Sequence, residues 1–198
     1  MTSAETVGGR GLNAAVTDLF PAGFDRPRTE PALLDRVPVG YAAMSGRKFS
    51  FEINRTSSAP AATVFALLAD GANWSTWAGP MVVQSSWARQ GDPAPGGVGA
   101  IRKIGAWPIL AQEEILEFEQ DRRQVYKVIS PPSPAKNYVG EVVLTPNQAG
   151  GTDIHWSGSF VEGVRGSGPL MRAALGGAVK LIASRLVQTA DRESGGGR

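Results

Sequence analysis

Apolar and polar positions begin to alternate at Arg47: Phe49, Phe51 and Ile53 are interleaved with Ser50, Glu52 and Asn54. This period of two predicts a strand with one buried face. Upstream, over residues 1–46, Gly8, Gly9, Gly11, Pro21, Gly23, Pro27, Pro31, Pro38 and Gly40 punctuate the chain, and the apolar cluster from Leu12 to Phe20 is short. That texture predicts a largely disordered N-terminal extension with at most one short helix. It reads either as a loose tail or as an arm that lays Leu19, Phe20 or Phe24 on the domain that follows.

After the first strand, Ser57 or Ser58 precedes Pro60, and Val64, Phe65, Leu67 and Leu68 form the apolar side of a short helix ending near Gly71. A second helical turn, Asn73 to Trp77, stops at Gly79-Pro80. Strand patterns then follow one another: Met81–Arg89, Val98–Trp107, Ile109–Glu119, Gln124–Ser130, Tyr138–Thr145 and Thr152–Glu162. The separators are turn chemistry: Asp92 to Gly97, Pro108, Gln120-Asp121-Arg122, Pro131-Pro132-Ser133-Pro134 and Asn147 to Gly151. With the first strand the count is seven. Connections this short imply antiparallel neighbours.

The chain closes on a helix from Gly166 to about Arg192, with Ser167 as N-cap and Pro169 in the first turn. At 100° per residue, Met171, Ala174, Leu175, Ala178, Val179, Leu181, Ile182 and Leu186 fall in one half of its circumference. Arg172, Ala173, Gly176, Lys180, Ala183 and Ser184 make the back. Arg185 falls inside the apolar half, where it either snorkels out or reaches a carboxylate on the sheet. A helix of about 24 residues, roughly 36 Å long, needs a sheet beneath it. The predicted fold is therefore α+β: a seven-stranded curved antiparallel sheet wrapped around a long C-terminal helix, with two short helices after the first strand. The domain runs over residues 47–193, and 194–198 read as a disordered tail. A curled sheet gripping a helix leaves a gap between them, so a ligand cavity is the expected product.

Composition narrows the chemistry. The 198 residues suit one domain, and 42% hydrophobic with 19% charged residues is a globular balance. There is no cysteine and one histidine, His155. Disulfides, thiol nucleophiles and zinc sites built on Cys or His are thereby excluded within one chain, and no metal or cofactor is expected. Residues 166–198 carry five basic and two acidic side chains, the rest of the chain fifteen and sixteen. That excess is too thin for a nucleic-acid footprint. Residues 1–10 lack an apolar signal region and later apolar runs are broken by charges, so neither a leader nor stable membrane insertion is expected, and the cytoplasm is the default location.

Several segments, in this order, resemble the START-like (SRPBCC) superfamily with the helix-grip fold, and within it the polyketide cyclase/dehydrase group. They are Asn73-Trp74-Ser75-Thr76-Trp77-Ala78-Gly79-Pro80, Gly97-Val98-Gly99-Ala100-Ile101-Arg102, Glu117-Phe118-Glu119 before Arg122-Arg123, and Gly151-Thr152-Asp153-Ile154-His155-Trp156. The resemblance spans about Arg47 to Arg192 and leaves the N-terminal extension outside. It implies a ligand-holding cavity between sheet and helix, but no one activity, because such folds host carriers, cyclases, dehydratases, hydrolases and interaction modules.

Candidate site residues follow from the strand faces. On the fourth strand Leu110, Gln112, Glu114, Leu116 and Phe118 share the more apolar face, which turns Glu114 inward. A carboxylate there would have a raised pKa and orient a ligand hydroxyl or act as acid/base; the alternatives are a register one residue off or a structural pair with Arg102 or Arg185. On the last strand Thr152, Ile154, Trp156, Gly158 and Phe160 face the cavity. Asp153, His155, Ser157 and Ser159 form an exposed polar face, too widely spaced for a catalytic triad. Trp74 and Trp77 are read as pocket wall or core, Arg102 as a ligand-binding candidate, Tyr126 and Tyr138 as ligand-fixing hydroxyls or ordinary sheet aromatics, and Met171, Leu175, Ala178 and Ile182 as the floor. The loop Gly96-Gly97-Val98-Gly99 lacks the context of a phosphate loop and reads as a flexible hairpin. Three functions remain open: binding of a small hydrophobic ligand (aromatic, polyketide-like or lipid-like), a cyclase or dehydratase using Glu114, Tyr126 or Tyr138, and a protein-interaction module. The chain is expected to be a monomer or homodimer.

Overall fold

The computed structural model describes residues 46–130 and 134–196. The readings of the N-terminal extension, including Leu19, Phe20 and Phe24, lie outside the described residues, as do residues 131–133 of the proline turn. In chain order the elements are β1 (Lys48–Ser57), α1 (Ala61–Ala69), α2 (Trp74–Trp77), β2 (Gln84–Arg89), β3 (Ile101–Ala106), β4 (Ile109–Glu119), β5 (Arg123–Ser130), β6 (Ala135–Pro146), β7 (Thr152–Glu162) and α3 (Gly168–Gly195). The helix thus carries residues 194 and 195 of the expected tail. The strands form one antiparallel sheet in the order β1-β7-β6-β5-β4-β3-β2. This is the helix-grip architecture that the alternating patterns predict, and its core lies between the inner face of the sheet and the three helices.

The grip is set by small residues. A Cβ on Gly168 would collide with the Phe49 ring, and one on Gly176 would stand 3.5 Å from Phe51. Continuing at helical spacing, Ala183 and Ala190 are fully buried. This stripe brings the α3 backbone close to the aromatic side of β1. The buried face is consequently rotated from the one a hydrophobicity wheel selects: Ala174 and Arg185 are exposed and Leu181 is 37% exposed, whereas Ala183, expected on the back, is enclosed. Arg185 reaches toward Gln188 on the solvent side and, among the described residues, pairs with no sheet carboxylate.

Both ends of α3 are tied to β-strand termini. Ser167 does not cap; its hydroxyl donates to the Val164 carbonyl instead. The Glu162 carboxylate accepts from the backbone N–H of Gly166 and Gly168, placing negative charge at the helix N-terminus. Near the other end Asp191 Oδ1 accepts from Ser57 Oγ at 2.6 Å, the Ser58 N–H at 2.8 Å and Ser58 Oγ at 3.0 Å. Burial opposes ionisation of Asp191, but these hydrogen bonds outweigh it and hold its carboxyl below the usual range.

Candidate functional site

On the inner face β6 and β7 each place a glycine where the alternation calls for a side chain: Gly140 opposite Tyr126, and Gly158 opposite Gly140 and Phe51. A Cβ at Gly140 would come within 2.5 Å of the Tyr126 hydroxyl, and one at Gly158 within 2.7 Å of the Tyr138 hydroxyl. The two glycines therefore form a trough across the sheet in which both phenols lie. Their rings are 6.2 Å apart. Tyr126 Oη also accepts from Trp156 Nε1 at 3.0 Å. Burial above all, with the charge of Glu113 adding to it, pushes the Tyr126 phenol up to about 12, while Arg102 and the hydrogen bonds pull the other way. Burial likewise holds Tyr138 well above the ordinary tyrosine range, reinforced by Tyr126. At neutral pH both are protonated donors.

Beside the phenols lies a buried ion pair. Arg102 is 1% exposed, its Nε and Nη2 each stand 2.8 Å from Glu113 Oε2, and Nη1 donates to the Leu68 carbonyl at 3.3 Å. The guanidinium lies 3.9 Å from the Trp74 ring centroid and 5.0 Å from that of Tyr126. Such stacking suits arginine, which is planar and weakly hydrated. Every N–H-bearing branch of Arg102 has a protein acceptor, so its charge is neutralised before any ligand arrives.

The expectation for Glu114 is overturned. Leu116 is an extra residue in β4: Ile115 pairs with Tyr126 while Glu117 pairs with the next residue, Val125. This bulge reverses which parity faces the core. Before it Ala111, Glu113 and Ile115 point inward; after it Phe118 does, packing edge-on against Phe65 at 5.1 Å. Glu114 stands on the outer face, 2.9 Å from Arg89 and 2.8 Å from Lys127. The hydrogen bond from Lys127 lowers its pKa against the opposing effect of burial, the reverse of the inward expectation. Leu116, half-buried at the bulge, lies outside the core cluster and does not join the inner face.

Other expected residues divide more evenly. Trp74 and Trp77, at 1% and 6% exposure, are core rather than rim; they stack on each other at 4.9 Å, and Trp74 meets Trp156 edge-on. Trp74 Nε1 donates to the Leu68 carbonyl, whereas Trp77 Nε1 has no partner among the described residues. Trp156 and Phe160 are buried on the inner face, Phe160 stacked on Phe49 at 5.7 Å. Of the floor, Met171, Leu175 and Ile182 pack half-buried against the core; Ala178 is half-buried and outside it. On the outer face of β7, Asp153 accepts from Thr56 and His155 Nδ1 stands 2.8 Å from Asn54 Oδ1, so each meets a different β1 side chain and no triad forms. Ser157 and Ser159 are buried at 7% and 5%, not exposed, because β7 lies between two strands and their side chains are short.

Glu113, Gln124 and Gly140 stand on the inner face outside the expected set. Glu113 is hidden by the bulge. Gln124 is 1% exposed on the inner face, both its amide atoms without a partner among the described residues, and nothing in a polar residue at a strand start signals that. Gly140 shares parity with Tyr138, Val142 and Leu144, a pattern visible in the chain once that face is known to be inner. Among the described residues no three acidic or histidine side chains are grouped to hold a metal, and no helix is long and apolar enough to cross a membrane.

Comparison with solved structures supports the same fold. A protein of Nitrosospira multiformis aligns with 74% of this chain and 99% of its own at 20% identity and a TM-score of 0.57. The crystal structure of Ara h 8.0201 covers 72% of this chain and 99% of its own at 17% identity, TM-score 0.55. A protein from Thermobifida fusca covers 72% and 93% at 22% identity, TM-score 0.60. A search of curated proteins finds no match. Residues 48–191 match the family described as polyketide cyclase / dehydrase and lipid transport, which supports hydrophobic-ligand binding in general. That match takes in every element from β1 to most of α3, and the chain belongs to this family of helix-grip proteins.

Proposed function

We propose that the protein binds a small hydrophobic ligand carrying an oxygen acceptor, aromatic or polyketide-like, between the inner sheet face and the N-terminal half of α3. The observation that carries this reading is the pair of phenols in the glycine trough, both protonated at neutral pH and set among aromatic rings. Burial along α3 supports the position: Met171 and Leu175 in its first turns are half-buried, while Val179, Ala183, Leu186 and Ala190 further along are buried. A ligand there would gain affinity from apolar area and orientation from one or two hydrogen bonds. The Arg102–Glu113 pair offers no net charge, which disfavours an anionic ligand.

The test is a thermal-shift series comparing phenols and hydroxylated polycyclic aromatics with saturated fatty acids. Stabilisation by the first group and not the second, reduced in Tyr138→Phe, is expected by linkage. Preferential stabilisation by fatty acids overturns the aromatic assignment. A cyclase or dehydratase reading rests on the same phenols acting as proton donors to a carbonyl, with Glu113 replacing Glu114 as the interior carboxylate. It requires turnover that Tyr138→Phe removes while ligand affinity survives.

A further inference from the structure

We infer that the end of the sheet carrying the β3–β4 hairpin docks on an anionic lipid surface. Among the described residues, seven of the nine exposed large hydrophobic ones lie there: Met81, Val83, Trp107, Ile109, Ile129, Val164 and Leu170, leaving Val98 at the opposite end and Leu181 on the back of α3. The strand register places them at the same end of the sheet. Gln84, just after Val83, pairs with Gly105; Ala106 pairs with Ile109 across the turn; Gln112 pairs with Ser130; and Ala135 pairs with Glu162, which leads into Val164 and the first turn of α3. Trp107 is 81% exposed and Leu170 73%, so these side chains protrude instead of packing.

Charge selects the occupant. Arg47, Lys48, Lys136, Arg165 and Arg172 are exposed at or next to this end, and its described acidic residue, Glu162, is committed to the α3 N-terminus. The far end mixes signs, with Asp70, Asp121, Asp153 and Asp191 near Arg89 and Arg122. Apolar tips led by a tryptophan, with cations at the same end on β1, β6 and the start of α3, match a headgroup region with anionic lipid, where indole partitions and basic side chains are attracted. An apolar protein partner has no need of these cations, and a nucleic acid has none for the aliphatic tips. The inference goes beyond ligand binding, although it brings the half-buried part of α3 next to a source of apolar molecules.

The experiment is co-sedimentation of the full chain with phosphatidylcholine vesicles with and without phosphatidylserine. Binding to the phosphatidylserine vesicles alone, weakened by salt, is expected. Trp107→Ser should weaken it about tenfold, and Lys48→Gln with Lys136→Gln and Arg165→Gln should abolish the lipid preference. Val98→Ser, at the opposite end, should leave it unchanged. If Trp107→Ser melts early by circular dichroism, Leu170→Ser takes its place. Failure to sediment at low salt, an equal loss from Val98→Ser, or a dimer that Trp107→Ser dissociates without any vesicle binding overturns the inference. Since no small ligand is present, the outcome is independent of the thermal-shift series.

Discussion

Arg102 and Glu113 face each other across the β3–β4 ladder, and the salt bridge between them at 2.8 Å is enclosed by protein on nearly every side. Opposed residues on one face of an antiparallel pair are the closest side-chain neighbours a sheet offers. The pair therefore forms as soon as the two strands register, and it places the guanidinium against Trp74 and Tyr126.

Removing one partner should be far worse than removing both. Arg102→Met leaves a buried, unpaired carboxylate and is expected to cost about 3–5 kcal/mol, whereas Arg102→Met with Glu113→Leu should recover most of that loss. Urea unfolding of the two variants decides it; equal destabilisation would show that the pair is not energetically coupled.

The glycine trough should tolerate no methyl group. Gly140→Ala drives a Cβ into the Tyr126 ring, which is held by Trp156 on one side and by Arg102 on another. An overpacking loss of about 1–3 kcal/mol is expected. Gly150→Ala, where a Cβ meets nothing, serves as the comparison, its cost coming from a positive φ of 82° alone. Denaturant midpoints of both variants against the parent chain separate the two causes.

Glu114→Gln should be nearly silent. Its partners Arg89 and Lys127 lie on the outer face, and ion pairs of this exposure contribute about 0–1 kcal/mol. Ligand-induced thermal shifts should match those of the parent chain, and a large loss of binding would restore the inward placement that the alternation suggested.

Stability at low pH should depend on Asp191. Its folded-state pKa is depressed, so its contribution is fully present above the ordinary aspartate value of about 4 and is lost as the pH falls through the lower folded value. Asp191→Asn should lower the melting temperature at neutral pH, and the gap to the parent chain should close on acidification. At the alkaline end the sign reverses. Tyr126, raised to about 12, contributes stability that is intact below the usual tyrosine value of about 10 and is lost as the pH climbs toward the folded value. Ultraviolet titration of Tyr126→Phe against the parent chain reads this directly, through the loss of one late-ionising phenol.

The sequence by itself determined the seven strands, the two short helices, the closing helix and hence the helix-grip fold, because period-two alternation, turn residues and an apolar helix face are local properties that burial against any neighbour would enforce. It also determined that Trp156 and Phe160 face inward, since β7 keeps its parity over those positions. Tertiary structure decided the rest. A one-residue bulge at Leu116 has no composition signal, yet it exchanges Glu114 for Glu113 and turns an expected interior base into a surface ion pair. The facing of α3 was set by size rather than hydrophobicity: Gly168, Gly176, Ala183 and Ala190 admit the aromatic rings of β1 and the core, and a larger, more apolar face could not come as close.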